Sequence, residues 1–341
     1  MVKLEVEDVE LDMLMVMGVT GAGKSYFINQ LVGKQVVEES DSLHSCTQQC
    51  QLVPATIAGN KTIIIDTPGF DDSKRSDTEI LTEIANVLTT QYELGVKLKG
   101  IIYLHRISDT RYQSSAIKTL QMFQKICGMS AMKNVILCTT RWDGVGAALG
   151  AKREKQLKED FWAYMIHNGS TMTRFYGDDD SARAIAGQLL CKNTVVLDIQ
   201  RELSEEGLNL NETTAGQFIG NNLQDLEKKY KEELAELEEM KRQLRESDRA
   251  MRLQLQEDWE KERERLRRIQ EQQVSLVQPT AENVRQEITN KRSKMRKIMG
   301  FVPLALSVFG AFMGIPPGLT VGLTNWMTGD DGNGSFLDLF S

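Results

Sequence analysis

A glycine-rich segment near the start of the chain carries the residues with the clearest chemical potential. It reads Gly-Val-Thr-Gly-Ala-Gly-Lys-Ser, and it lies between an apolar stretch, Leu11 to Met17, and a helical pattern, Tyr26 to Val32. In a strand–loop–helix setting such a loop turns its backbone N–H groups towards phosphate oxygens, and the helix N-terminus adds positive potential. We therefore predict a nucleoside triphosphate site formed by Gly18, Thr20, Gly21, Ala22, Gly23, Lys24, Ser25 and Tyr26.

Two of these residues carry specific chemistry. Lys24 is placed to reach the β- and γ-phosphates, and the Ser25 hydroxyl is a ligand for Mg²⁺. A second magnesium group follows about forty residues later, where the apolar stretch Thr62–Asp66 ends in a carboxylate. Asp66 begins the sequence Asp-Thr-Pro-Gly, and Gly69 lets its backbone N–H approach a γ-phosphate. Taken alone, this second motif could be an ordinary turn, but its position after the first motif favours a nucleotide site.

The identity of the base is predicted from Thr140-Arg141-Trp142-Asp143, which follows the apolar stretch Asn134–Thr139. A fixed carboxylate accepts two hydrogen bonds from guanine, whereas adenine offers an acceptor at N1 and no amine beside it. We assign Asp143 to guanine recognition, Arg141 to packing along the base and Thr140 to the same set. GTP/GDP with Mg²⁺ is the predicted cofactor, and an ATP-dependent enzyme remains the alternative if Asp143 is a surface residue.

Two features bear on hydrolysis. A switch segment needs one hydroxyl that ligates Mg²⁺ only in the GTP state, and we predict Thr47, with Ser42 and Ser45 as alternatives. The predicted catalytic residues are therefore Lys24, Ser25, Thr47 and Gly69, and the metal ligands are Ser25, Thr47 and Asp66.

Ras-like enzymes place a water-orienting Gln just after the second-motif glycine, but here that residue is Phe70, which cannot polarise water. Slow hydrolysis is expected unless another loop or another chain supplies a group. His105, Arg106 and Arg111 are the candidates to cross a dimer interface, although surface charges on a connecting loop explain them equally well.

Elements that position these residues follow from hydrophobic periodicity. Six apolar stretches alternate with helical patterns over residues 1 to about 200, which predicts an α/β fold with a mostly parallel sheet covered by helices on both faces. The strands are expected at Leu11–Met17, Cys50–Ile57, Thr62–Asp66, Gly100–Leu104, Asn134–Thr139 and Met172–Tyr176. The later helices are expected at Thr78–Tyr92, Ser115–Ile126, Arg153–His167 and Ala182–Leu190.

A change in composition marks two further regions. From about Asn222 to Ser275 the chain lacks Pro and Gly and shows apolar residues at heptad spacing with one stutter, which favours a coiled coil. A long solvated helix, or two helices folded back on the first domain, are the alternatives. We place a nucleotide-binding domain at 1–208, a coiled coil or long helices at 209–297 and an apolar tail at 298–341.

The tail combines a basic cluster, Lys291 to Lys297, with an apolar segment interrupted by Pro303, Gly310 and the pair Pro316-Pro317. An uninterrupted membrane span needs about 20 apolar residues, so a simple transmembrane segment is not favoured. A re-entrant hairpin turning at residues 316–318 fits better, with membrane contact through 291–328. The alternative is a tail that packs into the protein's own interface or into a homo-oligomer.

Composition sets broader limits. The chain has 341 residues and a net charge of −7, and its five cysteines are scattered without a metal-binding pattern. The acidic balance argues against nucleic acid as a partner, because phosphate backbones require concentrated Lys and Arg. The cysteines predict reduced thiols, and the acidic N-terminus does not have the layout of a signal peptide, so we expect a cytoplasmic protein, peripheral to or anchored on a membrane.

Taken together, the three motifs resemble those of the septin-like (paraseptin) GTPases, nearest the GIMAP/AIG-type branch and its fungal G domain-containing relatives. The stretch Gly100 to Asp109, followed by Leu120 to Gly128, is similar to the region between the third and fourth motifs of that branch. The resemblance covers about residues 10–190. It departs from the family at Arg141, where Lys is usual, and at residues 177–180, which replace a recognisable fifth motif.

This resemblance implies a Ras-like sheet with one antiparallel edge strand, GTP-dependent dimerisation across the nucleotide face, and a membrane-associated C-terminus. The leading hypothesis is a slow GTPase switch that forms a homodimer or homo-oligomer through its G domain and coiled coil. The alternative is a scaffold that binds guanine nucleotide without significant turnover.

Overall fold

The computed structural model describes residues 11–37, 49–70, 75–110, 112, 114–243, 249–294, 301–313 and 317–328. The strands are β1 Asp12–Gly18, β2 Gln51–Ile57, β3 Asn60–Asp66, β4 Lys97–Arg106, β5 Val135–Thr140 and β6 Thr171–Arg174. The helices of the nucleotide domain are α1 Lys24–Val32, α2 Asp77–Glu93, α3 Ser114–Cys127, α4 Ala147–Gln156, α5 Ala163–His167, α6 Asp179–Leu190 and α7 Asp198–Gln200. Five further α-helices follow in the described part of the chain: α8 Thr214–Gln243, α9 Arg249–Leu276, α10 Thr280–Lys294, α11 Phe301–Met313 and α12 Pro317–Thr328.

The strands form one six-stranded sheet in the order β2-β3-β1-β4-β5-β6. Only the β2–β3 pair is antiparallel; the other four pairings are parallel. Met13 and Met15 face one side of β1, and Leu14 and Val16 face the other, as the twofold side-chain period of a strand requires. The predicted α/β fold, with one antiparallel edge strand, is confirmed.

Helices cover both faces of this sheet. Buried residues of α1 and α6 pack on the face of Leu14, while α2, α3 and α8 pack on the face of Met13. Helix α2 begins with a capping box, in which Ser76 Oγ accepts from the Glu79 N–H and Glu79 accepts in return from the Ser76 N–H. The cap fixes the start of the helix that follows the second motif.

One predicted helix differs in detail. The single helix predicted at Arg153–His167 is divided into three segments in the structure. Helix α4 begins earlier, at Ala147, a π-helical turn follows at Leu157–Phe161, and α5 completes the segment. The four-residue spacing of Leu157, Phe161 and Met165 is compatible with either arrangement, because all three still face inward. The π turn buries Trp162 completely between Tyr103 and His105.

Heptad residues of the second region find their partners within the chain. Helices α8 and α9 are antiparallel: Trp259 Nε1 donates to Glu238 at 3.2 Å, and Gln273 Nε2 donates to Glu227 at 3.0 Å. At the domain end of the pair, Leu223, Ile269 and Leu276 are buried in the core that contains α2 and α3. This arrangement corresponds to the alternative of two helices folded back on the first domain, and the heptad residues Leu226, Met240 and Met251 are exposed.

The apolar tail also packs on the protein. Helices α11 and α12 form a hairpin that buries Phe309, Met313 and Trp326 in the same core. The turn was predicted at 316–318, but α12 begins at Pro317, so residues 317 and 318 are helical, and residues 314–316 lie outside the described part. Among the described residues, none of the helices combines the length and apolar character needed to cross a membrane.

Candidate nucleotide-binding site

The glycine-rich loop connects β1 to α1 with the backbone that phosphate binding requires. Gly21 and Gly23 have φ angles of 75° and 89°, in the left-handed region that favours glycine. Lys24 is buried, and its Nζ donates to the carbonyls of Gly18 at 3.1 Å and Val19 at 3.2 Å. The ammonium group is therefore held across the loop, where it can reach phosphate oxygens without a large rearrangement.

Two of the three predicted magnesium ligands, Ser25 and Asp66, lie side by side. Ser25 Oγ donates to Asp66 Oδ2 at 3.2 Å, and Asp66 is completely buried at the end of β3. Two oxygen ligands converging beside a phosphate loop suit Mg²⁺, which is bound by one or two protein oxygens together with nucleotide phosphates. The residues present therefore fit a magnesium–nucleotide complex.

Gly69 is pressed against the glycine-rich loop. A Cβ atom at this position would lie 2.5 Å from the Thr20 backbone nitrogen and 2.6 Å from Thr20 Oγ1. Thr67 fixes the approach, because its Oγ1 donates to the Val16 carbonyl at 2.8 Å. Only glycine fits here, which supports the prediction that its backbone faces the γ-phosphate position.

Phe70 turns away from the site. Its side chain is 4% exposed and lies in the core beneath α2 and α3, while its carbonyl accepts from Thr119 Oγ1 at 3.0 Å. The residue at the water-orienting position of Ras-like enzymes is thus a structural core residue in this chain.

The fourth motif is tied to the phosphate loop through Thr140. Its Oγ1 donates to the Ala22 carbonyl at 2.8 Å, so β5 and the loop are held in one arrangement. Arg141, the next residue, has a φ of 61°, which is uncommon for a residue with a side chain. Such backbone strain is concentrated at binding and active sites, and here it presents Asp143 to solvent at the sheet's carboxyl edge.

The sequence did not predict the support behind this motif. Trp142 Nε1 donates to the Thr139 carbonyl at 3.2 Å, and the Arg174 guanidinium lies 4.3 Å from the Trp142 ring centre. Arg174 is held in turn by two hydrogen bonds to Glu154, which raise the pKa of its guanidinium. An aromatic residue inside the motif was the available signal, but its partners come from β6 and α4 and are visible only in the fold.

The loop in place of the fifth motif is anchored by Tyr26. The Tyr26 hydroxyl donates to the Gly177 carbonyl at 2.8 Å, and Asp178 caps α6 by accepting from the Ser181 N–H. Tyr26 therefore links the start of α1 to the loop that we expect to cover the base. The sequence predicted Tyr26 only as a member of the nucleotide site, and its positioning role is visible only in the fold.

Two of the three candidates for the dimer interface are described, and both lie at the end of β4. His105 is buried against Tyr112 and Trp162, and burial together with the neighbouring Arg106 charge lowers its pKa to about 4. Arg106 lies at the edge of the site, where it forms an ion pair with Asp109. Arg111 lies outside the described residues, as do Thr47 and the alternatives Ser42 and Ser45.

The fold and the site define a class: a P-loop G domain with a guanine-recognition motif at the carboxyl edge of a mostly parallel sheet. Residues 12–157 match the model of the AIG1 family, so this segment is an AIG1 family domain. The resemblance predicted from the three motifs is confirmed, and the segment is a GTP-binding G domain of the AIG type.

Several curated proteins are similar to part of the chain. Translocase of chloroplast 90 of Arabidopsis thaliana is 32% identical over 131 residues, which cover 37% of this chain and 16% of the relative. GTPase IMAP family member 8 of Rattus norvegicus is 29% identical over 136 residues, which cover 39% of this chain and 18% of the relative. The chain thus spans less than a fifth of the length of either protein. Cell division control protein 11 of Encephalitozoon cuniculi is 27% identical over 169 residues, which cover 45% of this chain and 60% of the relative.

Among solved structures, Toc33 from Arabidopsis thaliana in complex with Mg²⁺ and GMPPNP is similar to this chain with a TM-score of 0.43 and 18% identity. The similarity covers 54% of this chain and 87% of that one.

Proposed function

We propose that the protein is a magnesium-dependent GTPase that hydrolyses GTP slowly by itself and couples nucleotide binding to self-association. Lys24, Ser25, Asp66 and Gly69 would hold the phosphates and Mg²⁺, and Asp143 the guanine base. A bound magnesium ion would neutralise charge on the β- and γ-phosphates. The burial of Phe70 is the observation that supports the slow rate, because a buried apolar side chain at the water-orienting position cannot orient or polarise water.

Self-association is proposed because a group from a second copy would complete the site. Asp143 is exposed at the sheet's carboxyl edge, and Arg111 follows the last residue of β4, Arg106, by five positions in the sequence. Dimerisation is important for the GTPase activity of the chloroplast translocon components atToc33 and psToc159, and the same experiment can be done with this chain.

Single-turnover hydrolysis at rising protein concentration tests the proposal. A rate constant that climbs with concentration is expected, and Arg111→Ala should remove the increase while leaving guanine nucleotide affinity intact. Arg183→Ala, which changes an exposed arginine on α6, is the matched control. A flat and negligible rate at every concentration would instead support the alternative, a scaffold that binds guanine nucleotide without significant turnover.

Membrane contact is a second proposal, favoured by the sequence of a basic cluster followed by the apolar α11–α12 hairpin. Because the hairpin buries its largest side chains against the G domain, contact with lipid would require its release. We propose a cytoplasmic protein that binds membranes peripherally through residues 291–328. Flotation with anionic liposomes should separate the full chain from a chain lacking 291–341, and equal flotation of both would refute this proposal.

A further inference from the structure

Arg106 lies directly over the phosphate loop of its own chain. It is the last residue of β4 and pairs in register with Thr140, between the loop and the base-recognition motif. A Cβ atom on Gly21 would lie 3.0 Å from Arg106 Nη1 and 3.8 Å from its Cζ. The guanidinium therefore occupies the space that a side chain at Gly21 would fill.

A short turn holds the arginine in this position. Its Nε lies 3.0 Å from Asp109 Oδ1, and the two side chains are 36% and 24% exposed. The Ile107 N–H donates to the Thr140 carbonyl at 2.9 Å, which fixes the backbone immediately after Arg106. The contact with Asp109 is an ion pair, and Arg106 Nε makes no hydrogen bond there. A guanidinium carries five N–H donors in a rigid fork, so the edge that faces Gly21 remains available beside this ion pair.

We propose that Arg106 contacts the nucleotide phosphates within its own site and that Asp109 is the residue that positions it. The inference rests on the proposed GTPase function. The loop's backbone N–H groups would surround the phosphates of a bound nucleotide, so a cation next to Gly21 would add positive charge near the site where negative charge develops as the γ-phosphoryl group is transferred. Arg106 would then contact the nucleotide bound to its own chain, and a different residue would have to reach the nucleotide of a second copy.

Two structural features favour glycine at position 21. Its φ of 75° is strained for other residues, and a Cβ would also displace the guanidinium. The structure thus couples the conformation of the phosphate loop to the placement of a positive charge above it.

Nucleotide affinity tests the inference without relying on turnover. Dissociation constants are measured for GDP, for a non-hydrolysable GTP analogue and for GDP with aluminium fluoride, each with Mg²⁺. Charged hydrogen bonds contribute about 1.5–3 kcal/mol, so Arg106→Gln should weaken binding of the analogue by about 10-fold or more. Arg106→Lys should keep part of the affinity, and Asp109→Asn should fall between Arg106→Gln and the wild type.

Arg201→Gln is the matched control. Arg201 is also 36% exposed and forms an i,i+3 ion pair, with Asp198, far from the nucleotide motifs in the sequence. Its affinity should equal that of the wild type, and melting temperatures of all variants verify that they fold.

Measuring nucleotide affinity at low and high protein concentration shows whether Arg106 acts on the nucleotide of its own chain or on that of a second copy. An affinity loss already present where the protein is monomeric supports the inference, whereas a loss that appears only where dimers form overturns it. Unchanged affinity of Arg106→Gln also overturns it, while the GTPase proposal stands. A wild-type protein that binds nucleotide but never hydrolyses it refutes the GTPase proposal, and the affinity comparison still decides the role of Arg106.

Discussion

At the scale of single residues, the site depends on side chains whose neighbours fix their position. Thr140 holds the phosphate loop through Ala22, and Tyr26 holds the loop at Gly177. Neither residue needs to react, but each removes freedom from a loop that must close around the nucleotide. Part of the entropy cost of ordering the site is therefore met by the fold before the ligand binds.

Asp143→Asn should reverse the preference for the base. In the proposed site the Asp143 carboxylate would accept from guanine N1–H and the exocyclic amine, whereas an amide presents a donor that suits the oxygen of xanthine at the same ring position. Competition binding should show a loss of GTP affinity of about 100-fold and a gain for XTP. Asp160→Asn, which changes an exposed carboxylate in the π turn, is the control. An Asp143→Asn protein that still selects GTP over XTP would refute the assignment.

His105 should make stability depend on pH. Its pKa in the folded protein is lowered to about 4, below the ordinary value of 6.5, so the unfolded chain binds the proton more readily. The free energy of unfolding should therefore fall as the pH drops from about 6.5 to 4, by up to about 3 kcal/mol. Urea unfolding of the wild type and His105→Phe, compared at pH 8 and across this range, measures the contribution. Identical slopes for the two proteins would contradict it.

At the scale of elements, the pairing of α8 with α9 anchors the helical region to the G domain. Leu276 is 2% exposed in the shared core, whereas Val274, two residues earlier, is 74% exposed. Truncating a buried leucine costs about 2–5 kcal/mol because a cavity is left behind. Leu276→Ala should lower the free energy of unfolding by that amount, and Val274→Ala should change it by less than about 0.5 kcal/mol. Equal effects of the two substitutions would show that α9 does not pack as described.

The elements of the nucleotide domain were largely predictable, because buried parallel strands leave apolar runs such as Leu11–Met17 and Asn134–Thr139 in the sequence. The π turn at Leu157–Phe161 was not, since the four-residue spacing of its apolar side chains also fits a continuous helix. The heptad spacing in α8 and α9 predicted an apolar stripe, but it did not show which helix packs against that stripe. Only the antiparallel contacts, such as Trp259 with Glu238, show that the partner is in the same chain.

The candidate site divides in the same way. Glycines, Lys24, Ser25 and Asp66 were predictable because local backbone chemistry demands them at fixed spacing. The Arg174–Trp142 contact and the position of Arg106 over Gly21 depend on which strands become neighbours, and the sequence carries no local record of that.

At the scale of the whole molecule, Lys61 joins the tail to the sheet. Its Nζ donates to the carbonyls of Trp326 at 2.6 Å and Met327 at 3.2 Å, and lies 5.5 Å from the Trp326 ring centre. The lysine thus satisfies carbonyls in the last turn of α12, where a cation is favourable.

Lys61→Met should loosen this contact. Loss of a charged hydrogen bond of about 1.5–3 kcal/mol predicts amide exchange in residues 317–328 that is at least about tenfold faster. Hydrogen exchange measured by mass spectrometry gives the rate, and Lys152→Met on the surface of α4 is the control. Exchange that does not change in the Lys61 variant would show that α12 is held by its apolar contacts alone.

Helix α2 gives these separate parts a common thermodynamic constraint. It starts a few residues after Gly69 and Phe70, and it contacts α9, α10 and α11 along its length. Any difference in the free energy of tail docking between the GDP and GTP states must equal the difference that the docked tail makes to nucleotide affinity. If docking does differ between the two states, a molecule that binds the released tail would change the ratio of GTP to GDP affinity without contacting the nucleotide.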